Sequence, residues 1–143
     1  MNDLLHRFAS SRVTGRAARV TAGVRIFVGV VFVFFGGLKF LATEFELAEF
    51  VRFGFPESAL VVQLVGLIEV VAGLMLVLGI ATRLAALGLA VVMAGAILTA
   101  GLTVGGPFHL GVAPTLLVAN VYLLVAGSGS PALDRRLVPL NSH

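Results

Sequence analysis

Glu69 lies inside an apolar run that extends from Leu60 to Ile80, and no other ionisable residue interrupts that run. A carboxylate near the centre of a membrane helix costs ~2.5 to 3.5 kcal/mol to insert, so it faces a partner or a wet cavity. The preceding apolar run supplies two candidate counter-ions, Arg25 near its start and Lys39 near its end. Chemically, a buried acid can exchange protons and a neighbouring cation can bind an oxyanion. Depth limits the pairing. Measured from the external ends of their helices at helical rise, Glu69 lies ~14 Å deep and Arg25 ~22 Å deep, whereas Lys39 lies near the surface. Long basic side chains bend along a helix axis, so Arg25 can reach up and Lys39 can reach down where water enters; each can instead snorkel to its nearer face.

Two more polar residues could complete a pocket. Asn120 lies within the last apolar run, where Ala113, Asn120 and Gly127 recur at spacings of seven. Its amide suits a hydrogen bond across a helix interface, the ordinary polar glue of membrane bundles. His109 follows Gly105, Gly106, Pro107 and Phe108 in a turn. It reads as an exposed loop residue, with a proton-relay role as the alternative; a lone histidine does not make a metal site, and none is expected. The chain has no cysteine, so disulfides, thiolate metal ligation and CxxC redox chemistry within it are excluded.

The elements that must position these residues follow from composition. Hydrophobic residues make up 59% of 143 positions and charged residues only 12%, too apolar for a soluble domain of this size. Four runs approach the ~20 residues that a spanning helix needs: about 20–41, 60–80, 84–102 and 108–126. Backbone groups in lipid must be satisfied internally, and the runs lack strict alternation, so they should be helices. The expected fold is all-α: one integral membrane four-helix bundle over residues 1–143.

Basic residues set the expected orientation. Arg7, Arg12, Arg16 and Arg19 precede the first run, Arg83 lies between the second and third, and Arg135 and Arg136 follow the fourth. The connection after the first run is acidic, with Glu44, Glu46, Glu49 and Glu57 against Arg52. The positive-inside rule then places the tails, 1–19 and 127–143, in the cytoplasm. The first run is full-length without a convincing cleavage site, so it is expected to remain as a span. A net charge of +3 split between two tails suits anionic lipid and gives no nucleic-acid footprint.

That acidic connection has structure of its own. Thr43 and Glu46 match a capping box, and Leu47, Phe50 and Val51 follow at helical spacing, so a short external interfacial helix is expected from about Glu44 to Phe53. It can serve as a lid on lipid or as a gate over an internal cavity. Arg25, Phe32, Gly36 and Lys39 share one side of the first helix, with Gly29 in the same small-residue pattern; Gly66, Glu69, Gly73 and Ile80 form a stripe on the second. Small residues allow close approach in membranes, so these two helices should meet along the stripes.

Taken in order, Arg25, Gly29, Phe32, Gly36 and Lys39, then Gly66, Glu69, Gly73 and the segment LVLGIATR from Leu76 to Arg83, resemble the DoxX family of small four-helix bacterial membrane proteins. The tail GSGSPALDRRL, with Gly127, Gly129, Leu133 and Asp134, is similar to the family's GPG-and-SLD ending, with Ser128 in place of the proline. The resemblance implies a multi-pass protein of the bacterial inner membrane, associated in some members with thiosulfate:quinone oxidoreduction or with oxidoreductase assemblies that handle oxidative stress. It implies a quinone as the candidate cofactor and oxidoreductase subunits as candidate partners, since this chain shows no electron carrier of its own; a homo-oligomer stays open. Glu69, Arg25 and Lys39 would then line a pocket for a quinone-like or small anionic ligand. The competing expectations are a structural or assembly subunit without a ligand, and a proton-coupled small-molecule exporter.

Overall fold

In the computed structural model, residues 11–134 are described. The remainder, with Arg7, Arg135, Arg136 and the outer parts of the tails expected in the cytoplasm, lies outside the described residues. Five helices follow in order: α1 Gly15–Leu41, α2 Thr43–Arg52, α3 Ala59–Leu78, α4 Thr82–Ala96 and α5 Ala113–Ala126. A π-helical turn, Ile97–Gly101, extends α4, and a second, Phe108–Val112, leads into α5. With these extensions, Gly15–Leu41, Ala59–Leu78, Thr82–Gly101 and Phe108–Ala126 are each long and apolar enough to cross a membrane. The molecule is thus an all-α membrane bundle of four spanning helices with one short helix, α2, at one end.

The outward faces carry large apolar side chains, among them Phe27, Val30, Phe34, Leu67 and Val91. Such a surface in water would be a liability, and in a bilayer it is the solvent-facing side. Inside, Val28, Phe32, Leu76, Leu89 and Leu123 form the packed centre.

Antiparallel α1 and α3 make the most extensive helix contact, and α4 with α5 the next. Glycines permit the first. A Cβ added at Gly29 would stand 2.7 Å from the Gly73 carbonyl oxygen, and one at Gly36 would stand 2.9 Å from that of Gly66. Real side chains do not approach backbone so closely, so the two axes lie nearer than any larger residue allows.

At the N-terminus of α2 the expected capping box does not form. Only Ala42 separates α1 from α2, which leaves Thr43 over the end of α1. Its hydroxyl donates to the Lys39 carbonyl at 2.9 Å and the Phe40 carbonyl at 3.3 Å, satisfying groups that the ending helix leaves open. Glu46 is thereby freed from capping, and its carboxylate turns towards Lys39 instead, at 3.8 Å.

The opposite end of the bundle is closed by the segment after α5. Gly79 ends α3 in the left-handed conformation, and Ala81 follows with φ 44°. Against this tight turn lies Asp134, whose Oδ1 accepts from the Ala81 amide at 2.7 Å and whose Oδ2 accepts from the Thr82 amide at 3.2 Å. Asp134 therefore supplies the N-terminal cap that Ala81 lacks, where a carboxylate also meets the positive end of the α4 dipole.

Candidate functional site

The register between α1 and α3 decides which base meets Glu69. A Cβ at Gly36 would stand 2.8 Å from the Glu69 Cβ, and one at Gly66 would stand 2.8 Å from the Lys39 Cβ. Glu69 is therefore level with Gly36, three residues or ~4.5 Å along α1 from Lys39 and eleven residues or ~16 Å from Arg25. Lys39 Nζ closes the shorter gap and stands 2.8 Å from Glu69 Oε2.

Arg25 is buried elsewhere, at 1% exposure. Its Nη1 donates to the Leu76 carbonyl at 2.6 Å and its Nη2 to the Pro131 carbonyl at 2.6 Å. It neither snorkels nor joins the acid. Instead it satisfies the last carbonyls of α3, at the negative end of that helix dipole, and ties them to the segment ending in Asp134.

The Lys39 and Glu69 pair forms part of the wall of a cavity of about 410 Å³ at the α2 end of the bundle. Seven of the ten phenylalanines among the described residues line it. Phe32 and Phe35 come from α1, Phe45 and Phe50 from α2, Phe53 and Phe55 from the turn after α2, and Phe108 from the second π-helical turn. Every element that reaches this end contributes. Val65 on α3, Met93 and Thr99 on α4 and its extension, and Leu116 on α5 complete the enclosure.

Glu69 is 4% exposed, and its Oε2 accepts no hydrogen bond among the described residues although the ammonium stands beside it. The contact is an ion pair off the hydrogen-bond direction, so the carboxylate retains acceptor capacity. Glu46 and Glu49 also line the cavity, and among the described residues Lys39 is the one lysine or arginine that does. Arg52 occupies Glu49 at 2.6 Å. What remains is two carboxylates, Glu46 and Glu69, around one ammonium. Arg25, expected with Lys39 to line this pocket, lies at the other end and contributes no charge here.

His109 lines the same cavity from within the second π-helical turn, half-buried, where an open loop was expected. Its ring stands edge-on to Phe53 and Phe108, at 4.9 and 5.2 Å between centroids. Its Nδ1 is 3.3 Å from the Gly105 carbonyl. With the proton on Nδ1 donated there, Nε2 is left as an acceptor. Asn120, fully buried, is not among the lining residues. Its Nδ2 donates to the Leu116 carbonyl of its own helix at 2.8 Å, so the expected bond across the interface is replaced by one four residues back.

The structure thus gathers Lys39, Glu69 and His109 into one cavity and keeps Arg25 and Asn120 out of it. Glu46, Glu49 and the phenylalanines were absent from the sequence-derived site. The signal was present only in part: five phenylalanines fall between Phe40 and Phe55, in and around the amphipathic connection.

A four-span, all-helical membrane bundle with an intramembrane ion pair at a cavity near one end is the class that fold and site define. The chain belongs to the DoxX family, whose model matches residues 20–102, from early α1 to the first π-helical turn. It is also 34% identical over 128 residues to an uncharacterized membrane protein, Rv3486, of Mycobacterium tuberculosis, a match that covers 80% of this chain and 78% of the relative. No solved structure matches the chain significantly.

Proposed function

We propose that this protein is a ligand-binding subunit of a bacterial inner-membrane oxidoreductase system, in which the phenylalanine-lined cavity receives a quinone-like ring beside Lys39 and Glu69. The cavity carries the proposal. Its volume, about 410 Å³, lies within the ~300 to 1,000 Å³ usual for small-molecule sites, and its few polar groups on a mostly apolar wall are the usual composition of such sites. Phenylalanine faces suit a flat ring in offset or edge-on contact. Lipid solubility fits a site enclosed by membrane helices.

A quinone would supply two-electron redox chemistry that this cysteine-free chain has no residues to supply, with the electrons coming from a partner subunit. The residues of the chain would do three things. Lys39 would donate a hydrogen bond to a ring oxygen, Glu69 would hold or release a proton within reach of that oxygen, and the phenylalanines would exclude bulk water from both. A small anion is disfavoured by Glu46 and Glu69 flanking the single ammonium. That same surplus carboxylate, set among aromatic faces, favours a second reading, a proton-coupled carrier of lipophilic cations.

Melting shifts separate the two. A ligand that binds only the folded protein raises its apparent stability. Short-chain benzoquinone and naphthoquinone analogues should raise the melting temperature of the detergent-solubilised protein, and the rise should shrink in Glu69→Gln and in Phe32→Ala. Stabilisation by tetraphenylphosphonium with none by the quinones would favour the carrier. No response to either set would favour an assembly role without a ligand.

A further inference from the structure

We propose that Glu46 and Lys39 form the proton path by which Glu69, and therefore the cavity, exchanges protons with water at the α2 end of the bundle. The inference deepens the reading of the cavity as a site of proton-coupled ligand chemistry and rests on it. Three groups stand in sequence. Glu46 Oε2 is 3.8 Å from Lys39 Nζ, and the same nitrogen is 2.8 Å from Glu69 Oε2. Exposure falls along the series: the Glu46 side chain is 19% exposed, that of Lys39 11% and that of Glu69 5%. The outermost member belongs to α2, the short helix whose polar face is open, and the innermost belongs to a membrane span.

Ligand chemistry at a buried acid needs such a path. Glu69 is enclosed by α1, α3 and phenylalanine rings, and a proton that it gives up must be replaced from outside the apolar wall. The balance is simple. An N–H bond of the Lys39 ammonium breaks as an O–H bond forms on the Glu69 carboxylate, leaving a neutral amine. That amine takes a proton from the Glu46 carboxyl, whose O–H bond breaks as a new N–H bond forms. Glu46 then recovers a proton from water. The net result is one proton moved from water to Glu69, with Lys39 and Glu46 returned to their starting states. At 2.8 Å the Lys39 ammonium needs only to swing an N–H onto Glu69 Oε2 before the proton moves; the 3.8 Å interval to Glu46 is beyond a direct hydrogen bond, and a side-chain rotation of Glu46 or one bridging water closes it.

Other charged and titratable groups facing the cavity are placed differently. Glu49, also on α2, is held by Arg52 at 2.6 Å. His109, at the start of the last span, holds its Nδ1 against Gly105 and its ring between Phe53 and Phe108. On the α4 side Thr99 donates its hydroxyl to the Gly95 carbonyl at 2.8 Å. Glu46 is the one of these groups for which the ion-pair geometry reaches the Lys39 ammonium from the polar side.

The test follows the infrared carbonyl stretch of protonated Glu69 after rapid acidification of the ligand-free protein, with the band identified by its loss in Glu69→Gln. Because no ligand is present, the outcome does not depend on whether a quinone binds. Glu46→Gln should slow the appearance of the band about tenfold or more without changing its final amplitude, Glu46→Asp should retain part of the rate, and Glu44→Gln, an exposed change on the same helix, should leave it unaltered. An unchanged rate in Glu46→Gln would overturn the path. So would a changed final amplitude at unchanged rate, which would make Glu46 an electrostatic neighbour only, and so would the absence of any Glu69-dependent band across the pH range in which the fold persists.

Discussion

Among the ionisable residues, Glu69 is paired by register rather than by proximity in the sequence pattern. Lys39 and Arg25 share a stripe on α1, but the glycine contacts set Glu69 level with Gly36, and only Lys39 is within side-chain reach. Removing one member of a buried pair leaves the other uncompensated and costs on the order of 3 kcal/mol. Glu69→Gln and Lys39→Met should each lower stability in denaturant titrations of the detergent-solubilised protein, and the double variant should lose at least ~1 kcal/mol less than the sum. Glu69→Gln with Arg25→Gln should be additive, since Arg25 serves carbonyls at the opposite end. Coupling in that second cycle and none in the first would reverse the assignment. The sequence displayed all three charges and could not choose between the bases, because runs counted from their apolar ends carry no information on how two helices slide past one another.

Elements were more legible than their junctions. Four helices follow directly from the length and apolarity of the runs, and α2 from its amphipathic spacing. The capping box failed at a junction: a single residue between two helices leaves Thr43 to serve the helix behind it. The cap on α4 was hidden for the opposite reason, since Asp134 is 53 residues from the Ala81 amide that it binds. Asp134→Ala should cost about 1 to 2 kcal/mol, as loss of an N-terminal cap does, and Asp134→Asn should recover much of it, both measured by chemical denaturation. Within the α1 and α3 contact, Gly73→Ala puts a methyl 2.8 Å from the Gly29 carbonyl oxygen and should cost about 1 to 3 kcal/mol. Gly88→Ala, where nothing lies within 4 Å, should be neutral or slightly stabilising because alanine is the better helix former. Equal effects at the two glycines would mean that the close approach is not real.

Viewed as a whole, the bundle is polarised. One end is tied shut by Arg25 and Asp134, and the other holds the cavity under α2 and the two π-helical turns. Such turns often mark functional sites in helices, and both here lie at the cavity end. Sequence hydropathy could reveal that the chain crosses a membrane but not that seven phenylalanines from separate elements enclose one space. The arginines at the closed end predict an orientation with that end in the cytoplasm: we expect an impermeant thiol reagent to label Glu44→Cys in whole cells and Asn2→Cys only after lysis, and the reverse pattern would invert the molecule. The most direct test of the cavity itself is photolabelling. A short-chain quinone carrying a photoreactive azide, activated on the protein in lipid nanodiscs and located by peptide mass spectrometry, should attach within the α2 segment, near Phe45 to Phe55, and around Phe108, with labelling competed by the unmodified quinone and reduced in Glu69→Gln. Labelling confined to the lipid-facing side chains, such as Phe27, Phe34 and Val91, and indifferent to competitor would contradict a quinone site in this protein.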